Sequence, residues 1–109
     1  MTINIHAERV PEGSYRVYIY TNGGSYEDRS PIDTVCLLSP YMDGVQVSFA
    51  KGELSDEINL AIARKAYGMG WEALYFQVPE GGKASRHAQY HHTDDGFDHY
   101  RADLAEIFG

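Results

Sequence analysis

The chain has 109 residues, with 16 Asp and Glu against 9 Lys and Arg, and a formal net charge of −7 when its 5 histidines are neutral. That length allows one domain, residues 1–109, with enough buried surface for a core that needs no staples. The charge repels phosphate backbones, which argues against direct nucleic-acid binding and favours a basic partner, and no apolar stretch approaches the roughly 20 residues needed to span a bilayer.

The N-terminus, Met1-Thr2-Ile3-Asn4-Ile5-His6, lacks a basic region ahead of an apolar one and does not read as a signal peptide. Thr2 to Glu8 alternates, with Ile3, Ile5 and Ala7 on one face, and predicts a half-buried strand. Val10-Pro11-Glu12-Gly13 is a turn, and Tyr15 to Thr21 a second strand forming a hairpin with the first. Asn22-Gly23-Gly24-Ser25 ends it, and residues 25–33 read as an irregular loop. Thr34 to Ser39 and Val45 to Ala50 are the third and fourth strands, with Asp43-Gly44 favouring a tight reversal between them. Cys36, the single cysteine, lies in the apolar run of the third strand. It reads as a small buried hydrophobe, since thiolate chemistry needs an electropositive, partly exposed site. A reducing, cytoplasmic location fits.

The clearest helix follows. Ser55 is a good N-cap, Asp56 and Glu57 suit the positive end of the dipole, and Ile58, Ala61, Ile62 and Ala66 recur at helical spacing. Gly68 and Gly70 stop it. Glu72 to Val78 is a fifth strand, Pro79 to Lys83 a loop, and His87 to Thr93 and Phe97 to Leu104 two strands about Asp95-Gly96. Leu104 to Phe108 reads as a terminal helical turn. The expected order is β-β-β-β-α-β-β-β, an α+β fold with a mixed, mostly antiparallel sheet and one main helix. The fourth strand, helix and fifth strand form a βαβ unit with parallel strands.

That central piece, Val45-Gln46-Val47-Ser48-Phe49, helix 55–68 and Ala73 to Val78 introduced by Gly70-Trp71, resembles the core of the Gcn5-related acetyltransferases, the GNAT fold. The resemblance spans about residues 34–104 and implies a GNAT-like framework. The family cradles acetyl-CoA pyrophosphate in an Arg/Gln-x-x-Gly-x-Gly/Ala loop. The matching stretch here, Lys51-Gly52-Glu53-Leu54-Ser55-Asp56-Glu57, has one glycine and places three acids where a phosphate would sit. The resemblance therefore implies a reduced form without the cofactor, and no catalytic residue is carried over.

Four of the five histidines, His87, His91, His92 and His99, fall among Asp94, Asp95 and Asp98. With a two-residue turn, Asp94 faces Phe97, His92 faces His99 and Tyr90 faces Arg101. With a three-residue turn, His92 faces Asp98 and His91 faces His99. Directly opposed side chains lie about 5 Å apart at Cβ, so His92 and His99, with Asp94 or His87, could hold zinc or another divalent metal. A solvated polar face is the plainer reading, and no His-Glu-x-x-His signature is present. Gly81-Gly82-Lys83-Ala84-Ser85-Arg86 is a candidate anion contact through Lys83 and Arg86, without Walker spacing. No nucleophile elbow is present.

The remaining candidates are acids in loops and at the helix start: Glu27, Asp28, Asp33, Asp43, Glu53, Asp56 and Glu57, with Tyr26 and Tyr41 as nearby aromatic anchors. Nine tyrosines suit both a sheet and an interface. A small, acidic, tyrosine-rich chain without a catalytic motif resembles the accessory proteins of bacteriophages, inhibitors of host defence such as anti-CRISPR proteins among them. The resemblance implies a binding protein whose acidic loops and tyrosines occupy a basic surface, with no cofactor and salt-sensitive affinity. The alternatives are a metal-dependent hydrolase built on the histidine hairpin, a degenerate acetyltransferase, and a self-associating protein in which exposed tyrosines pair two copies.

Overall fold

The computed structural model describes residues 3–21, 23–29, 31–51, 56–82 and 88–109, without the side chains of 49–51 and 56. Glu53, Ser55, Lys83, Arg86 and His87 therefore lie outside the described residues, as does the side chain of Asp56. The elements are β1 (Asn4–Arg9), β2 (Tyr15–Tyr20), β3 (Thr34–Tyr41), β4 (Gly44–Lys51), α1 (Asp56–Gly68), β5 (Ala73–Pro79), β6 (Ala88–Asp94), β7 (Phe97–Asp103) and α2 (Leu104–Phe108). They form one seven-stranded sheet in the order β1-β2-β3-β4-β5-β7-β6. Every neighbouring pair is antiparallel except β4 and β5, which run parallel and, among the described residues, pair only at Val45–Leu74 and Gln46–Tyr75.

The α+β class and the mostly antiparallel sheet match the expectation. The element order differs from it by a closing helix. Leu104 to Phe108 is α2, because the Asp103 side chain accepts the backbone N–H of Glu106 at 3.1 Å and caps a real helix. The last strand accordingly stops at Asp103. The β3–β4 reversal also sits one residue earlier than expected. Tyr41 pairs with Gly44, so Met42 and Asp43 make the turn and Met42 takes a positive φ of 49°. Gly44 is needed inside β4 instead, where its Cα passes against the Ala73 carbonyl.

Alternation decides the faces. Val17, Ile19, Cys36, Leu38, Val45, Val47 and Leu74 project to one side and meet Ile58, Ile62, Ala63 and Ala66 of α1 and Leu104 of α2. Of the predicted helical stripe, Ile58, Ile62 and Ala66 are buried and Ala61 only partly so, and Gly70 at φ 93° ends the helix as read. Both helices pack on that face. Residues of opposite parity, among them His6, Tyr18, Leu37, Gln46, Tyr75, His99 and Arg101, form a second face that carries neither helix. Among the described residues no helix is long and apolar enough to cross a membrane.

Candidate functional site on the helix-free face

The β6–β7 hairpin turns on Asp95 and Gly96, both at positive φ (51° and 80°), as a two-residue turn of the primed type demands. Asp94 pairs with Phe97, Thr93 with Asp98 and His92 with His99. The shorter of the two registers weighed from the sequence is therefore the one adopted, up to His92. Beyond it the register shifts between Tyr90 and His92, so Tyr90 faces Tyr100 and not Arg101. His91 is the extra residue of a β-bulge, a feature that re-aims side chains. Its Nδ1 lies 3.0 Å from His92 Nδ1, and the His92 ring stacks on His99 with centroids 4.3 Å apart and planes 5° from parallel.

Three imidazoles thus meet on one edge of the sheet, and Asp94 stands opposite Phe97. Imidazole coordinates metals through lone pairs in its ring plane, whereas His92 and His99 present faces to each other. Among the described residues no group of three or more His, Cys, Asp and Glu side chains is placed to hold a metal ion.

Next to the histidines, the β3–β4 turn is tied to β5 and β7. The Tyr75 hydroxyl donates to Asp43 Oδ1, and Arg101 donates to Asp43 through Nη2 (2.6 Å) and Nε (3.4 Å). Tyr41 packs edge-on against Tyr75 at 4.9 Å, and Tyr75 meets His91 edge-on at 6.4 Å. The Arg101 hydrogen bond, helped by Tyr75, holds the Asp43 carboxyl down at about 2, and burial followed by the Asp43 bond raises Tyr75. Asp43 is therefore an internally neutralised group more than a free acidic anchor. The depression between Tyr41, Tyr75 and the three histidines holds only about 20 Å³, far below the few hundred Å³ of an organic-ligand pocket.

A carboxyl whose folded value lies below its unfolded one, about 3.9, stabilises the fold above that unfolded value and loses the contribution as pH falls through the folded one. Asp43→Asn should lower the melting temperature at neutral pH and flatten its dependence between about pH 4 and pH 2. Thermal melts across that range check this; an acid limb identical to wild type would show that the bond does not form in solution. Asp33, held down by the Thr21 amide and hydroxyl, and Asp98, held down by Thr93 and the Gly81 amide, act in the same direction.

At the other side of this face, Tyr26 lies flat on His6 with centroids 3.8 Å apart, and Tyr18 is 5.9 Å from Tyr26. The segment around Tyr26 folds back onto β1, where Asn4 Nδ2 donates to the Gly24 carbonyl at 2.6 Å. Tyr20, on the same face, is buried, and Tyr26 remains 42% exposed. Glu27 and Asp28 are exposed beside it, with Asp28 accepting from the Ser25 hydroxyl at 3.0 Å.

The candidate partner-binding residues do not form one patch. Tyr26, Glu27, Asp28 and Glu57 lie at one end of the strands, and Tyr41 and Asp43 at the other. The topology nevertheless sorts charge. Among the described residues, the loop after β2, the start of α1, the exit of β5 and the β6–β7 turn share one end, which collects Glu27, Asp28, Asp33, Glu57, Glu80, Asp94, Asp95 and Asp98 against Arg29, with the backbone position of Lys51 at the close of β4. At the opposite end Glu8, Glu12, Asp43, Glu72, Asp103 and Glu106 are offset by Arg9, Arg16, Arg64, Lys65 and Arg101. Cys36 is buried, and burial pushes its thiol up to about 12, so it is no nucleophile.

Tyr75 and Arg101 are site residues that sequence reasoning missed, and His91, singled out in the histidine cluster, joins it through a bulge and not through the register expected for it. A bulge has no reliable signature in one strand, and Arg101 meets an acid 58 residues away. No protein-family model, curated protein or solved structure matches the chain.

Proposed function

We propose that the protein is a non-catalytic binding module that seats its acidic end, with the aromatic side chains beside it, on the basic surface of another protein. The sorting of charge along the strands is the observation that carries this reading. The excess of carboxylates over basic residues at one end attracts a basic surface over a Debye length of about 8–10 Å, and their alignment orients the encounter. Tyr26, half exposed and stacked on His6, adds a rigid aromatic contact beside Glu27 and Asp28. The action is steric: the module covers what the partner's basic surface would otherwise hold. Small size, acidity and the lack of a catalytic motif support placing it with phage-encoded inhibitors of host defence, of the anti-CRISPR kind.

A reduced GNAT-like framework belongs to the same proposal. Its support is the β4-α1-β5 unit with parallel strands, followed by a hairpin. The stretch that would hold a cofactor phosphate, residues 52–55, lies outside the described residues. The metal-hydrolase reading has less support, because the histidine cluster comes with no converging third ligand among the described residues.

The test is an untagged pull-down from native host lysate at low and high salt, repeated with Glu27→Lys/Asp28→Lys and with Glu12→Lys from the other end. We expect one dominant partner, lost at high salt. The double reversal should weaken it roughly tenfold, with Glu12→Lys near wild type. Affinity that ignores both salt and the double reversal overturns the reading.

A further inference from the structure

We propose that the outer edge of β1 and the groove beside it form a self-association surface, on which two copies pair β1 antiparallel to β1 about a two-fold axis. This goes beyond binding of a basic partner and shares only Glu57 with that acidic end.

The sheet ends in two edge strands, β1 and β6, and they are protected differently. Natural edges are blunted by bulges, charges and proline, because an unpaired row of N–H and C=O groups invites another strand. The β6 edge carries the bulge at His91 and an exposed run of histidine, threonine and aspartate. The β1 edge carries none of these in its centre. Its register with β2 runs without a break from Asn4–Tyr20 to Arg9–Tyr15, it contains no proline, and its charges, Glu8 and Arg9, sit at one end.

Alongside β1, on the helix-bearing side, lies a groove of about 540 Å³ between that strand and α1. Its floor is Ile5 of the strand and Ile3 just before it, with Leu60 and Ala61 of the helix. Leu60 is 48% exposed, an aliphatic side chain outside the buried stripe of Ile58, Ile62 and Ala66. A second copy is the occupant that fits, and charge decides it. The groove has Glu57 at one end of the helix and Lys65 two turns on, with Arg64 beside it held over the Phe108 ring at 4.8 Å. A two-fold axis beside Ala61 sets Glu57 of each copy against Lys65 of the other and brings the two Leu60 side chains together. Isologous contacts have this reciprocal form. The same axis turns the two acidic ends in opposite directions, so each lies beside the mixed-charge end of its neighbour and the −7 charges are kept apart. An axis perpendicular to the sheet pairs residues of equal parity, so Ile3, Ile5 and Ala7 face their own kind on the helix side.

Light scattering on size-fractionated protein over a broad concentration range tests this. The expected mass rises with concentration from 12.3 kDa to twice that value. Leu60→Glu should weaken the dimer at least about tenfold, since each two-fold contact is lost twice. Glu57→Lys should weaken it roughly fivefold, and adding Lys65→Glu should restore it. Circular dichroism of each variant keeps a folding defect from passing as dissociation. A mass of 12.3 kDa at every concentration overturns the proposal. So does a dimer indifferent to Leu60→Glu and to Glu57→Lys.

Discussion

Gly44→Ala should be among the most damaging single-methyl changes in the chain, costing about 3 kcal/mol or more, above the usual range for an overpacked site. A Cβ at Gly44 would fall on the backbone carbonyl of Ala73, and a backbone group cannot swing aside as a side-chain tip can. Relief requires β4 and β5 to separate, and they are joined by only two residue pairs, the first of them Val45–Leu74, immediately after Gly44. The two halves of the sheet, β1 to β4 and β5 to β6, would then be held mainly by α1, α2 and the Asp43–Arg101 bond. Urea denaturation should show the loss in ΔG, and amide exchange should show Leu74 and Tyr75 deprotected first. Gly68→Ala is the control. Nothing lies within 4 Å of its Cβ position and its φ is not positive, so alanine there should be neutral or stabilise by up to about 1 kcal/mol. Equal effects at both glycines would mean that the close approach at Gly44 is not what holds that position.

Ile62→Ala should cost about 2–5 kcal/mol, a large share of the roughly 5–15 kcal/mol that stabilises a domain of this size. Ile62 is 1% exposed and the only large side chain of α1 buried to that extent; its neighbours on the stripe, Ala63 and Ala66, are small. Truncating it leaves a cavity between α1 and the sheet at the centre of the core cluster, and the rigid sheet collapses into it only in part. Chemical denaturation of the variant measures the loss. Leu60→Ala, two residues earlier on the outer side of the helix, should stay within about 0.5 kcal/mol. A cost below about 1 kcal/mol at Ile62 would place the helix differently on the sheet.

Some parts of the molecule are legible along the chain because their causes are local. The stripe Ile58, Ile62 and Ala66 reports one helix face, and alternation in Tyr15 to Tyr20 and Thr34 to Ser39 reports strands covered on one side. Asp95-Gly96 accepts two positive φ angles, which sets the hairpin and places His92 against His99. Cys36 reads as buried from its apolar neighbours alone. In each case the residues that decide the outcome lie within a few positions of one another.

Other features depend on which strands become neighbours. Asp43-Gly44 looks like the centre of a turn, yet the reversal uses Met42 and Asp43, because the approach of Ala73 claims the glycine. Asp43 and Glu57 look equally available to a partner, but only the folded sheet brings Arg101 and Tyr75 to Asp43 and takes its charge out of play. The bulge at His91 adds a third imidazole to a pair that strict alternation would leave alone.

The sequence by itself determined the elements, the buried helix stripe, the hairpin turn and the acidic balance, since propensity, periodicity and net charge are summed over short stretches or over composition. Tertiary structure alone decided how that charge is sorted between the two ends, which face stays free of helices and which strands become the sheet's edges. Those properties follow from the order β1-β2-β3-β4-β5-β7-β6, in which residues tens of positions apart share an end or an edge, and no local rule encodes that sharing.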